Sequence, residues 1–202
     1  MPRREWMRMM GRLQSAAQCF PRGRLWLNAA WRVGRACYRL GGDRVPLTRR
    51  VRKELGKWAG ELKSKAHEGV PLASRSGVRP SDEPGSGAIY ADASGEIGWC
   101  AWTIANGELI GVLGEWSKAE RDGLIIAEKE LFASSVGLVT LAPAAGWRDV
   151  WSFTDNTVAL AAMRSMTPST TCMQELTSAR VEWMAARGVR EAAERISTHA
   201  NL

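Results

Sequence analysis

At 202 residues, with 45% apolar and 24% charged side chains, the chain can bury a core without staples and can hold one full domain plus a smaller one. Four Cys without a C-x-x-C pair, beside only two His, argue against a disulfide framework and a structural zinc site. No run of 18 apolar residues offers a membrane span, and the opening Met-Pro-Arg-Arg-Glu-Trp lacks the apolar stretch of a signal peptide. The expectation is an intracellular protein, cytoplasmic or nuclear, with reduced thiols and no membrane partner. Charge is uneven: residues 1–80 carry a net +14 and the remainder a net −7. A basic half, rich in the phosphate-forking Arg, points to nucleic acid; an acidic half points to carboxylates with another task. Ten Trp are unusual, and most are expected in the core.

In chain order, residues 5–20 predict a helix broken at Pro21-Arg22-Gly23. A second helix carries Trp26, Ala30, Val33, Cys37 and Leu40 at helical spacing and ends at Gly41-Gly42. Thr48 caps a third, with Val51, Leu55, Trp58 and Leu62 as its apolar stripe and Arg49, Arg50, Arg52, Lys53 and Lys57 on its other faces. With Arg22 and Arg24, these cations are the expected phosphate contacts. Residues 1–73 therefore read as a small basic helical region, 74–87 as a polar Gly/Pro linker, and 88–202 as a second domain.

Beyond the linker the period changes. Strands are expected at 88–92, 97–105 and 108–116, the last two joined by the hairpin signal Asn106-Gly107. A long helix over 118–141 follows, then a strand at 150–154, helices at 158–163 and 170–187, and a short strand at 194–197. This order predicts an α/β fold in which a three-stranded antiparallel meander continues into parallel strands, flanked by helices.

Asp92 ends one apolar strand and Asp155 another, so neighbouring strands would bring both carboxylates to one sheet end. Each also has a plainer reading: Asp92 as a turn residue before Ser94-Gly95, Asp155 as a helix cap beside Asn156. Glu130 shares a helix face with Ile126, Ala133 and Gly137, whereas Glu128 shares one with Leu124 and Leu131. Periodicity does not choose between the two. If all these acids are only caps and surface charges, they should lie far apart.

The segments Tyr90-Ala91-Asp92-Ala93-Ser94-Gly95, Gly98-Trp99-Cys100-Ala101, Glu130-Leu131-Phe132-Ala133 and Phe153-Thr154-Asp155-Asn156, in this order and context, resemble the ribonuclease H-like domain of retroelement reverse transcriptases, especially of DIRS type. Arg195-Ile196-Ser197-Thr198-His199-Ala200-Asn201-Leu202 resembles the start of the family's closing motif. Gly11-Arg12-Leu13-Gln14-Ser15-Ala16-Ala17 and Pro21-Arg22-Gly23-Arg24 resemble the connection region that precedes such domains. The resemblance implies the ribonuclease H-like mixed sheet and a catalytic, metal-binding set of Asp92, Glu130 and Asp155; Glu128 is expected in a solvated ion pair. It also implies a two-metal Mg²⁺ or Mn²⁺ site that hydrolyses RNA in RNA–DNA hybrids, and the rest of a reverse transcriptase polyprotein as partner. The family's fourth acid lies on a closing helix with no counterpart before Leu202, so the domain is expected to be C-terminally incomplete, a truncated fragment or decayed copy. The alternative is a non-catalytic nucleic-acid-binding remnant of the same fold. The chain shows no Tyr-x-Asp-Asp polymerase motif.

Overall fold

The computed structural model describes residues 1–17, 20, 23–65 and 85–197. Arg22, Cys19, His199 and linker residues 74–84 lie outside them. The chain divides into two compact units, Met1–Arg75 and Ser76–Leu202.

In the first unit, helix α1 spans Arg3–Ala16, a 3₁₀ turn Leu25–Leu27 leads into α2 at Asn28–Arg39, and α3 spans Arg49–Lys65. The first helix ends four residues before the expected Phe20. Thr48 caps α3 as expected, its hydroxyl accepting from the Val51 N–H at 3.3 Å. The helices meet through Trp6, Met10, Leu25, Trp26, Leu27, Val51 and Trp58, all buried. Trp58 is met edge-on by Phe20 and Trp26, at ring-centroid separations of 5.3 and 6.0 Å. The buried carboxylate of Glu54 accepts from Ala29 N–H at 2.9 Å, placing negative charge at the start of α2 where the helix dipole favours it.

The second unit is a five-stranded sheet, β1 (Ser86–Ala93), β2 (Gly98–Ala105), β3 (Glu108–Glu115), β4 (Asp149–Thr154) and β5 (Arg190–Arg195), in the order β3-β2-β1-β4-β5. The meander β1–β2–β3 is antiparallel; β4 and β5 extend it in parallel. Strand β1 starts at Ser86, so the last residues expected in the linker belong to the sheet. Asn106 and Gly107 both take positive φ, +54° and +81°, as the tight β2–β3 turn requires.

Helices α4 (Lys118–Gly123), α5 (Ile126–Ala144), α6 (Thr157–Ser165) and α7 (Thr171–Arg187) complete the unit. The single helix expected over 118–141 is two. Ser117 and Glu120 form a reciprocal cap on α4, and the chain turns extended at Leu124 and Ile125 before α5 begins. The expected last strand at 194–197 instead runs Arg190–Arg195, recruited by β4 despite four charged residues in six. Among the described residues no helix is long and apolar enough to cross a membrane.

Strand alternation sends Ile89, Ala91, Ala93, Ala101, Val150, Ser152 and Thr154 inward, beneath α5. The other face carries a row of stacked rings, Trp102, Tyr90, Phe153 and Trp151, with Ile104, Leu109 and Leu113 exposed beside it. Of the ten Trp, only Trp6, Trp26, Trp58 and Trp116 are fully buried; the others are half-buried, two of them on this open face. Helix α5 packs closely on the sheet at Gly137, where an added Cβ would fall 2.5 Å from Ala101 Cβ and 3.2 Å from Ile89 Cγ2. Gly137→Ala is therefore expected to cost about 1–3 kcal/mol by overpacking, despite the better helix propensity of Ala, read as a lower urea midpoint at unchanged slope.

Candidate metal centre

Parallel pairing of β1 with β4 sets Tyr90 beside Phe153, so Asp92 and Asp155, each two residues further on, arrive at the same sheet end. Asp92 lies inside β1, in register with Cys100 of β2, and is not a turn residue. The helix cap is Asn156, whose side-chain oxygen accepts from the N–H groups of Val158 and Ala159 at 3.0 Å each. Asp155 is thus left outside the cap.

Glu130 reaches the same point from α5. Its carboxylate is buried, with Oε1 accepting from the Ala93 N–H at 3.3 Å; Oε2 is buried without a hydrogen-bond partner. Asp92, Glu130 and Asp155 each present an oxygen within 4.8 Å of the others. Burial first, then the charges of Asp92 and Asp155, push the Glu130 carboxyl up to about 8, against smaller opposing hydrogen bonds from Ala93 N–H and Thr154. Three carboxylates converging on one point, one with an oxygen that lacks a hydrogen-bond partner, repel one another when charged, and either a proton or a cation relieves that repulsion. All-oxygen donors suit a hard divalent ion such as Mg²⁺ or Mn²⁺. The proximity excludes the reading in which these acids are scattered caps and surface charges. Cys100, beside Asp92, is held in the thiol form: burial raises it first and the Asp92 charge adds to that.

Glu128 is not in a solvated ion pair. It is buried at the start of α5, accepting from Ile125 N–H at 3.1 Å and from the Thr170 hydroxyl, so it joins the starts of α5 and α7. Lys129, which sequence reasoning passed over, is 3% exposed and its ammonium donates to the carbonyls of Gly95 and Arg121 while lying 5.7 Å from the Trp116 ring centre. It pins the turn that follows Asp92 to α5, helped by the Trp116 indole N–H bonded to Ser94 O. Lys129→Met is expected to destabilise the protein by roughly 2–3 kcal/mol, because both carbonyls lose a charged donor, and to lower the urea midpoint accordingly. No sequence signal marks it, since a Lys on a helix ordinarily faces water.

Among the expected phosphate contacts, Arg24, Arg49, Arg50, Arg52, Lys53 and Lys57 are exposed on the first unit. Arg22 lies outside the described residues. Arg50 approaches Glu54 at 4.0 Å, and Arg52 Nε donates to Leu47 O at 2.9 Å.

Solved structures similar to the chain include ribonuclease H domains. The N-terminal RNase H domain of a Mycobacterium tuberculosis protein, solved as a fusion with maltose-binding protein, shares 15% identity over 57% of this chain and 85% of that one, at a TM-score of 0.46. RNase H1 of Halobacterium salinarum shares 10% over 57% and 87%, at 0.42. Foamy viral protease-reverse transcriptase bound to an RNA/DNA hybrid shares 14% over 98% of this chain, which spans 25% of that one, at 0.38. No protein-family model and no curated protein sequence matches the chain.

Proposed function

We propose that the chain is a retroelement-derived nuclease of the ribonuclease H type, hydrolysing the RNA strand of RNA–DNA hybrids, with a basic helical region ahead of it. One observation carries this reading: two strand-end aspartates and a buried helical glutamate converge within 4.8 Å at the end of two parallel strands. Asp92, Glu130 and Asp155 would hold Mg²⁺ or Mn²⁺, which when bound supplies an activated water and neutralises charge on the phosphoryl oxygens. Glu130 keeps one oxygen anchored on Ala93 N–H, and its other oxygen is buried without a hydrogen-bond partner. Arg24, Arg49, Arg50, Arg52, Lys53 and Lys57, together with Arg22, would hold the nucleic-acid backbone without reading bases.

The second reading, a non-catalytic nucleic-acid-binding remnant, needs only the exposed cations Arg24, Arg49, Arg50, Arg52, Lys53 and Lys57 of the first unit. Incubating a 5′-labelled RNA–DNA hybrid with the full chain and Mg²⁺ or Mn²⁺ separates the two. Metal-dependent cutting of the RNA strand supports the nuclease. Hybrid binding that weakens steeply with salt, without cutting, supports the remnant.

A further inference from the structure

Arg180 lies outside the acidic cluster, yet it ties together the elements that build it. Its side chain is buried on α7, and its Nε and Nη2 fork onto the two carboxylate oxygens of Glu191 on β5, the Nε bond measuring 2.9 Å. Nη1 donates to Ser135 Oγ at 3.1 Å, and Nη2 to Ser134 Oγ and Ser152 Oγ at 3.2 Å each. Ser134 and Ser135 are on α5, the helix of Glu130; Ser152 is on β4, the strand that ends before Asp155. One guanidinium therefore spans four elements.

Apolar residues could fill this space at comparable stability, since a buried ion pair seldom outperforms a packed hydrophobic substitute. What an apolar cluster lacks is direction. A planar guanidinium holds its acceptors at fixed distances and angles, whereas packed methyl groups tolerate sliding. The positions held are the relevant ones. Ser134 is one helical turn from Glu130 on the same face of α5, and Ser152 is on the same strand face as Thr154, which bonds Glu130 and precedes Asp155. Movement of α5 along β4 would change the spacing between Glu130 and Asp155 directly.

We propose that Arg180 is a positioning residue of the metal centre: by locking α5 to β4 it fixes the carboxylate spacing and so favours Mg²⁺ over the larger, geometrically tolerant Ca²⁺. The proposal rests on the metal-centre reading above. Mg²⁺ demands near-ideal octahedral geometry at about 2.0–2.1 Å, while Ca²⁺ accepts six to eight oxygens at about 2.3–2.6 Å in flexible arrangements. Loosening the spacing therefore penalises Mg²⁺ more.

The test is calorimetric titration of the full chain with Mg²⁺ and with Ca²⁺, for wild type, Arg180→Lys and the double variant Arg180→Met/Glu191→Met. The double variant leaves no unpaired buried charge, so it keeps its fold even where Arg180→Met alone would not. A Val181→Ala variant, altering a buried neighbour on α7 outside the network, serves as the comparator for lost stability. The Arg180 variants are expected to bind Mg²⁺ about 10-fold or more weakly, the scale usual for residues that orient metal ligands, with Ca²⁺ affinity changed less than about 3-fold. Val181→Ala should keep the wild-type ratio. Equal weakening of both ions, or affinities within about 2-fold of wild type in the double variant, would overturn the positioning role and leave the metal centre standing. A wild-type chain that binds neither ion would overturn the metal-centre reading, and this proposal with it.

Discussion

Replacing Glu130 with Gln is expected to raise the stability of the metal-free protein and, on the proposed nuclease reading, to abolish metal-dependent cleavage. Folding moves this carboxyl from the ordinary 4.5 to about 8, so between those values the folded chain binds more protons than the unfolded one. Stability on this account is fully present below about pH 4.5 and is lost as pH rises toward 8. At pH 7 the burden is roughly 2–4 kcal/mol, at about 1.4 kcal/mol for each unit between the unfolded value and the working pH. Gln carries no charge to bury and can turn its amide N–H toward Asp92 and Asp155. The metal-free variant should therefore melt roughly 5–12 °C above wild type at pH 7, with a flatter dependence of stability on pH between 5 and 8. Melting curves across that range in excess chelator are the measurement. A metal-free Glu130→Gln variant that melts at or below the wild-type temperature would show that the repulsion inferred from the buried cluster is absent. Saturating Mg²⁺ should stabilise wild type and leave the variant unmoved.

Asp92→Asn and Asp155→Asn are expected to act in the same direction on function, each weakening divalent-metal binding and hybrid cleavage at least about 100-fold. A carboxylate that neutralises a metal at a reacting phosphate is worth several kcal/mol, and each 1.4 kcal/mol is a factor of ten. Both side chains sit at strand ends with part of their surface in water. Their melting temperatures should stay within a few degrees of wild type. Calorimetric Mg²⁺ titration beside the cleavage assay checks both halves; loss of cleavage with unchanged metal affinity would remove these residues from the ligand set.

The same elements show what could be read from the chain alone. Asp92 and Asp155 each close a run of strand residues, and alternation together with strand order already brings such ends together, so both were legible. Glu130 was not separable from Glu128 by periodicity, because α5 is buried on more than one face: Ala127, Glu128, Lys129, Glu130 and Leu131 are all buried in succession. A helix packed between a sheet and other helices loses the polar stripe that would set its phase, and only the resemblance singled out Glu130. The break between α4 and α5 was legible in principle, since Ser117-Lys118-Ala119-Glu120 is a capping-box pattern. Strand β5 was not: Arg190-Glu191-Ala192-Ala193-Glu194-Arg195 has little strand propensity, and pairing with β4 imposes its conformation.

By itself, then, the sequence determined the basic helical part and the mixed-sheet part, the meander and the strand that follows it, and the two aspartates at strand ends. Those follow from local period, turn residues and charge, which act between neighbours in the chain. Tertiary structure decided the depth of Glu130, the burial of Glu128 and Lys129, and the Arg180 network. In each case a polar side chain is held inside by partners 11 to 46 residues away, bar the local Ile125 and Arg121 contacts. Burial of a charged group is set by such distant partners, and no local pattern of residues encodes them.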